Sequence, residues 1–238
     1  ADHPDVPVQM HLAESTLEVQ WAQETHGKSS VAVARDAGLL KPNLLAAHCL
    51  QLDHADITLM SEAQVCVATN PRSNGKAGRG IAPVEQLRNA GLPVGIGSDG
   101  AMSGNTLDLF GQFAPVSMFA KLLAGSRKPL PAVDVVRMAT IEGARALNLN
   151  LLTGSLEPGK QADLVRVSLA APRLHPIYDP YSALVFAALP SDVQSTMVAG
   201  RWLMRDRAVT TLDEEKTVAD AKQIARQFKA EMARIDGQ

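Results

Sequence analysis

The sequence predicts an α/β fold, the C-terminal half of an eight-fold barrel of parallel strands, followed by a small β appendage and a charged helix. Short apolar runs alternate with helical spacing four times between about residues 8 and 100, the signature of a parallel α/β architecture. Three of those runs close on a chemistry-bearing residue: Val8-Gln9-Met10-His11, Leu44-Leu45-Ala46-Ala47-His48, and Val94-Gly95-Ile96-Gly97-Ser98-Asp99. A short continuous apolar run is how a buried parallel strand looks in sequence, and the C-terminal strand tips of a barrel carry its chemistry. Four strand–helix units take about 125 residues here, half of the roughly 250 that a complete barrel needs.

After His11, Leu17, Val19, Trp21 and Ala22 give helical spacing from Glu14 to His26, and a second short helix runs from Ser29 to Ala37 before Gly38. Pro42-Asn43 opens the strand that ends at His48, and Asp53 caps a helix reaching about Glu62. Val65 to Thr69 is another buried strand, ending in Asn70-Pro71. The stretch Arg72 to Gly80 holds three glycines and three cations without periodicity. That composition predicts a mobile loop on the rim that also carries His11, His48 and Asp99. Its Arg72, Lys76 and Arg79 either meet an anionic substrate group or stay solvated, while Ser73 and Asn74 brace the loop.

Pro83 opens a helix from Val84 to Ala90, Gly91 ends it, and the Asp99 strand follows. Long apolar helices are expected over Asn105 to Leu123, with Asn105 as cap, and over Ala132 to Leu147. Trp21 and Trp202 are expected to pack. Beyond Gly154 come a turn, a strand from Ala162 to Val167, and a hairpin of Val193–Val198 with Arg201–Met204 around Ala199-Gly200. Asp213 to Ile235 forms a charged amphipathic helix. The expected segments are barrel residues 1–150, β-domain residues 151–212 and a helix over 213–238, with no internal repeats.

A chain of 238 residues can bury a sizeable core. Its net charge of −2 gives no electrostatic footprint for nucleic acid or an anionic membrane, and no apolar stretch approaches the roughly 18 residues of a membrane span. Cys49 and Cys66 make no disulfide framework; they read as buried small apolar groups, and a cytoplasmic setting is expected. The start, Ala1-Asp2-His3-Pro4-Asp5, has neither an initiator Met nor the regions of a signal peptide. The chain is therefore expected to begin partway through a longer protein.

Two histidines and an aspartate at separate strand tips, with Glu14 three residues past His11, suggest one shared metal or catalytic site. The ordered series Met10-His11-Leu12-Ala13-Glu14, Ala47-His48-Cys49, Asn70-Pro71 with Ser73-Asn74, Gly80-Ile81-Ala82-Pro83-Val84 and Gly97-Ser98-Asp99-Gly100 resembles the amidohydrolase superfamily. The branch resembled is that of chlorohydrolases and aminohydrolases, which includes methylthioadenosine/S-adenosylhomocysteine deaminases, guanine-type deaminases and triazine hydrolases. Met138 to Leu147 and Gly154 to Leu164 match the same branch, so the resemblance covers nearly the whole chain.

The resemblance implies a distorted (β/α)8 TIM barrel beside a small β-sandwich, with one divalent metal, zinc or else iron, at the strand tips. It implies His11 and Asp99 as metal ligands, Glu14 as proton shuttle and His48 as the group that orients water or leaving group. Asp99 would also take the water's proton, and Glu14, Asn70 and Arg72 would contact substrate. A metal of this kind brings the pKa of a bound water towards about 7, and the hydroxide attacks an sp² ring carbon so that ammonia leaves. The implied activity is deamination of an aminated purine, adenosine derivative or pterin; the alternatives are loss of another leaving group, as in triazine dechlorination, or an inactive barrel fragment. The implied partners are a small-molecule substrate and a second copy of the chain.

Two departures bear on this reading. The family's opening His-x-His pair is absent, so His11 and Asp99 alone fall short of the three or four ligands of a tight zinc site. Thr69 stands where relatives often place His, beside a glycine-rich segment. The chain is accordingly expected to carry strands five to eight and part of the sandwich, with open edges that favour aggregation in isolation.

Overall fold

The computed structural model describes residues 6–236; Ala1–Asp5, with His3 and the unusual start, and Gly237–Gln238 lie outside the described residues. The chain divides into two compact units, one made of residues up to Lys160 together with Leu169–Asp192, the other of Gln161–Ser168 with the residues from Val193 onward. This division differs from the expected segments: the first unit runs past residue 150 and takes back 169–192, and the last helix groups with the β-strands. Among the described residues no helix is long and apolar enough to cross a membrane.

The first unit is built on a four-stranded parallel sheet in the order β1 (Val8–Leu12), β2 (Leu44–His48), β3 (Cys66–Thr69) and β4 (Val94–Ile96). The register pairs His11 with Ala47 and Leu12 with His48, bringing two expected site strands side by side at their C-terminal ends. Leu44, Ala46, Val67 and Val94 are fully buried or nearly so, in keeping with a sheet covered by helices. Burying a side chain such as Leu44 or Val67 contributes about 1.5–3 kcal/mol each. Strand β1 is instead an edge, with Val8 and Gln9 exposed.

The connecting helices are α1 (Thr16–His26), α2 (Ser30–Asp36), α3 (His54–Glu62), α4 (Pro71–Lys76) and α5 (Val84–Asn89). Capping residues fix several starts. Ser15 and Ser29 accept from the amides of Glu18 and Ala32, and Asp53 with Asp56 forms a reciprocal capping box. Trp21 corrects one expectation: it stays 59% exposed, with its ring edge-on to His26, on the helix that follows the edge strand.

The segment after Asn70 corrects another, because Pro71–Lys76 is a helix rather than a mobile loop. Pro71 occupies the first helical turn, where its missing N–H is harmless. The amide of Asn74 donates to the Asn70 carbonyl, and Gly75 lies so close to the Phe119 ring that a Cβ would come within 3.2 Å.

Further on, a short helix α6 (Ala101–Gly104) precedes α7 (Phe110–Ala124), which is the helix expected over Asn105–Leu123 with a later start. Asn105 is left-handed and closes α6, so it caps the end of one helix rather than the start of another. Thr106 Oγ1 then accepts from the Asp108 amide in a side-chain turn. The expected helix over 132–147 is split into α8 (Ala132–Met138) and α9 (Ile141–Ala146). The Thr140 hydroxyl donates to the Val136 carbonyl at 2.7 Å, competing with the backbone ladder at the break. A single turn, α10 (Pro180–Ser182), belongs to the returning segment.

The second unit is an antiparallel sheet, β5 (Leu164–Val167), β6 (Val193–Val198), β7 (Arg201–Arg205) and β8 (Ala208–Val209), with the hairpin at Ala199-Gly200 as expected. Trp202 is half-buried there, with the Arg205 guanidinium 5.7 Å from its ring centroid. Helix α11 (Glu214–Asp236) ends the described chain.

Candidate active site

The tips of β1, β2 and β4 hold His11, His48 and Asp99. Their backbones bend sharply there. Ala13, His48, Cys49 and Asp99 all lie at positive φ, between 51° and 74°, a region that costs a non-glycine residue about 1–3 kcal/mol unless its surroundings enforce it. The enforcing contacts are backbone hydrogen bonds: Cys49 N–H donates to the Leu12 carbonyl, and the Leu50 and Gln51 amides both donate to the Ala13 carbonyl. On the other side of the turn, the Glu18 carboxylate accepts from the amides of Ala13 (2.7 Å) and Glu14 (2.9 Å). Glu18 thereby fixes where Glu14 departs from the main chain.

His48 is the anchor. Its side chain is 2% exposed, and its ring lies stacked on that of His11 with centroids 5.2 Å apart. The Nδ1 atom sits 2.7 Å from Asn74 Oδ1, an atom that can only accept, so Nδ1 carries the proton. That leaves Nε2 facing Glu14, 3.6 Å from Oε1. The same Glu14 oxygen pairs with the Arg79 guanidinium.

Asp99 is held by Ser73, whose hydroxyl donates to Oδ2 at 2.5 Å, and by the Gly100 amide, which donates to Oδ1 at 2.7 Å. Burial pushes the Asp99 carboxyl up, but the Ser73 and Gly100 hydrogen bonds, the neighbouring His48 and Ser103 outweigh it, leaving it below the ordinary carboxylate value. Glu14, Ser73, Lys76, Ala77, Arg79, Asp99 and Ser103 line a cleft of about 270 Å³.

Asn70 and Arg72 stand apart from this lining. Asn70 is buried, its Oδ1 lying over Gly97, where an added Cβ would come within 2.2 Å. The Arg72 amide donates to Gln112 Oε1, and its guanidinium lies by Gly111. Cys49 and Cys66 are buried free thiols, as expected, and burial pushes both thiols up.

Glu18, unassigned from sequence, completes the arrangement with Ser73, Asn74 and Arg79, which were expected to brace a loop or meet an anion rather than to hold Asp99, His48 and Glu14. Glu18 was legible in principle, because Ser15-Thr16-Leu17-Glu18 is a capping-box pattern. The others act across long sequence separations and left no local signal.

As a metal centre the donors fit in kind and fall short in number. Imidazole and carboxylate suit zinc or iron, yet among the described residues no group of three or more His, Cys, Asp or Glu side chains converges to hold an ion.

The Amidohydrolase family model matches residues 1–203. A 5-methylthioadenosine/S-adenosylhomocysteine deaminase of Syntrophobacter fumaroxidans is 41% identical over 94% of this chain and 51% of its own length. A 5'-deoxyadenosine deaminase of Methanosarcina acetivorans is 39% identical over 93% and 51%. The zinc-bound crystal structure of an adenosine deaminase from Xanthomonas campestris superposes with a TM-score of 0.92 at 35% identity, covering 95% of this chain and 52% of that one. Guanine deaminase from E. coli gives a TM-score of 0.77 at 27% identity over 86% and 49%. The chain thus spans about half the length of the curated relatives it matches, and it belongs to the amidohydrolase family.

Proposed function

We propose that this chain is the C-terminal half of a (β/α)8 barrel, with part of the accompanying β-sandwich, and that it works as a hydrolytic deaminase of an adenosine-type heterocycle. The observation that carries the reading is the convergence of Glu14 on His48 at the strand tips, 3.6 Å apart, in a cleft that also holds Asp99. Named deaminases at 39–41% identity support the class of substrate.

His11 and Asp99 would hold a divalent metal, zinc by likeness to the zinc-bound Xanthomonas campestris enzyme with iron as the other choice, completed by donors beyond the described residues. When bound, such an ion supplies activated water near neutral pH and Lewis-acid stabilisation. The chain's own groups then divide the proton work. Glu14 would relay the first proton that water gives up to the ring nitrogen beside the amino-bearing carbon, its carboxylate reaching into the cleft from a turn fixed by Glu18. Asp99, kept ionised by Ser73 and Gly100, would accept the second proton of that water and pass it to the amino group, which departs as ammonia. His48, locked by Asn74, presents Nε2 towards Glu14 and orients the reacting groups.

The shortfall of converging donors favours a second reading, an inert barrel half that needs another segment for activity. One experiment separates them: metal content by elemental analysis, with ammonia release measured over methylthioadenosine, S-adenosylhomocysteine, 5'-deoxyadenosine, guanine and a pterin. About one metal per chain and ammonia from an adenosine derivative, abolished in Glu14→Gln, is the expected result. No metal and no ammonia from any of them leaves the inert reading standing.

A further inference from the structure

The proposed chemistry leaves one charged contact in the cleft without a role. Arg79 reaches across to the proton-shuttling carboxylate, pairing with Glu14 Oε1, the oxygen that also faces His48. Glu14 cannot offer that oxygen to a ring nitrogen while a guanidinium holds it.

The backbone around Arg79 shows which part can move. Its amide donates to the Asn74 carbonyl at 3.1 Å, and its carbonyl accepts from Gln51 Nε2 at 3.0 Å. The flanking Gly78 and Gly80 adopt φ of +64° and +126°, conformations that a side chain would disfavour. The main chain is therefore pinned on both sides, while the side chain remains 44% exposed. Rotation of the side chain alone can part the ion pair.

The charge around it shows what would take the place of Glu14. Lys76 lines the same cleft, and its ammonium is satisfied by two neutral carbonyls, those of Met102 (3.2 Å) and Ser103 (2.9 Å). Its full charge thus meets no carboxylate there. Asp99, the other acid of the cleft, is engaged by Ser73 and Gly100. Once Glu14 turns to a substrate, two cations face the cleft, and a guanidinium offers five donors in a fork that suits a carboxylate or a phosphate.

We propose that Arg79 is a specificity-determining residue that exchanges Glu14 for an anionic oxyacid group on the substrate, with Lys76 reinforcing the attraction. The preferred substrate is then an aminated heterocycle carrying a carboxylate or phosphate on its tail, and docking of that group frees the proton shuttle. This inference rests on the deaminase reading for its heterocycle and on Arg79 for its anion.

The test is calorimetric binding of 5'-deoxyadenosine, adenosine 5'-carboxylate and adenosine 5'-monophosphate to the purified chain, with a chelator present so that no ligand is consumed. The parent is expected to prefer one or both anionic ligands over the neutral one, and the better of the two identifies the group. In Arg79→Gln that preference should fall by about tenfold or more, the scale of a lost charge-assisted hydrogen bond. Arg79→Lys should keep part of it, and added salt should shrink it in the parent. An unchanged preference ratio in Arg79→Gln, no preference in the parent, or no binding of any ligand overturns the proposal. Ammonia release is measured in parallel with zinc restored: an Arg79-dependent preference without ammonia from any ligand removes the deaminase reading and leaves the anion site standing.

Discussion

Replacing Asn74 with leucine tests whether His48 is held as the structure describes. The two residues are 2% and 1% exposed, and the hydrogen bond between their side chains is 2.7 Å long. Leucine keeps the heavy-atom branching of asparagine but is bulkier, so the loss combines a buried imidazole N–H without an acceptor with some overpacking. Leaving a buried donor unsatisfied costs about 1–3 kcal/mol. For a chain of this size that lowers the melting temperature by about 2–4 °C per kcal/mol, or about 2–12 °C altogether. Urea unfolding reads the same loss as a shift in midpoint at constant slope. A cycle with His48→Leu sharpens the result, because removing both polar partners is far less costly than removing one; the coupling should be about 0.5–3 kcal/mol. An unshifted midpoint in Asn74→Leu, or additive single losses, would show that this hydrogen bond does not hold the ring.

Two other substitutions probe the frame of the site. Gln64 follows α3 at φ +55° with its side chain exposed, so Gln64→Gly should remove the left-handed penalty and stabilise by about 1 kcal/mol; a lowered melting temperature would contradict that strain. Asp56 is pushed above the ordinary aspartate value by burial, against the Ser29 hydroxyl and Asp53 amide that lower it and with the Asp53 charge adding to the rise. A carboxyl with a raised folded-state pKa binds its proton more tightly when folded. Its stabilising contribution is complete below about pH 4 and is lost as pH rises through the raised value. The stability difference between parent and Asp56→Asn should therefore fall as pH rises above about 4, whereas a pH-independent difference would mean that Asp56 ionises without cost in the fold.

The strands were legible because each is a short apolar run, and their tips because a polar residue ends each run. The register that sets Leu12 opposite His48 follows from parallel pairing of runs already in view. The exposure of Trp21 was not legible, since the local pattern of α1 carries no mark of the strand it follows being an edge. Nor were the partners of the site residues. Ser73 meets Asp99, and Asn74 meets His48, each across 26 residues, a separation that no periodicity reports.

The reading of residues 72–80 as one mobile loop failed over residues 72–76 for an instructive reason. Glycine, serine and asparagine are poor helix formers on propensity alone, and Pro71 at the first turn with Gly75 seated against Phe119 overrides them. The proposed function requires that override. Ser73 and Asn74 are neighbours in sequence, yet they bond to residues on two different strand tips. Consecutive side chains on a helical turn diverge by about 100°, so one rigid turn can serve both tips at once. A mobile segment would leave Asp99 and His48 free to drift by more than the roughly 0.5 Å that a catalytic group tolerates. The same turn leads directly into the pinned Arg79, so the segment that holds Asp99 and His48 for the proposed acid–base chemistry also carries the proposed selector of the substrate's charge.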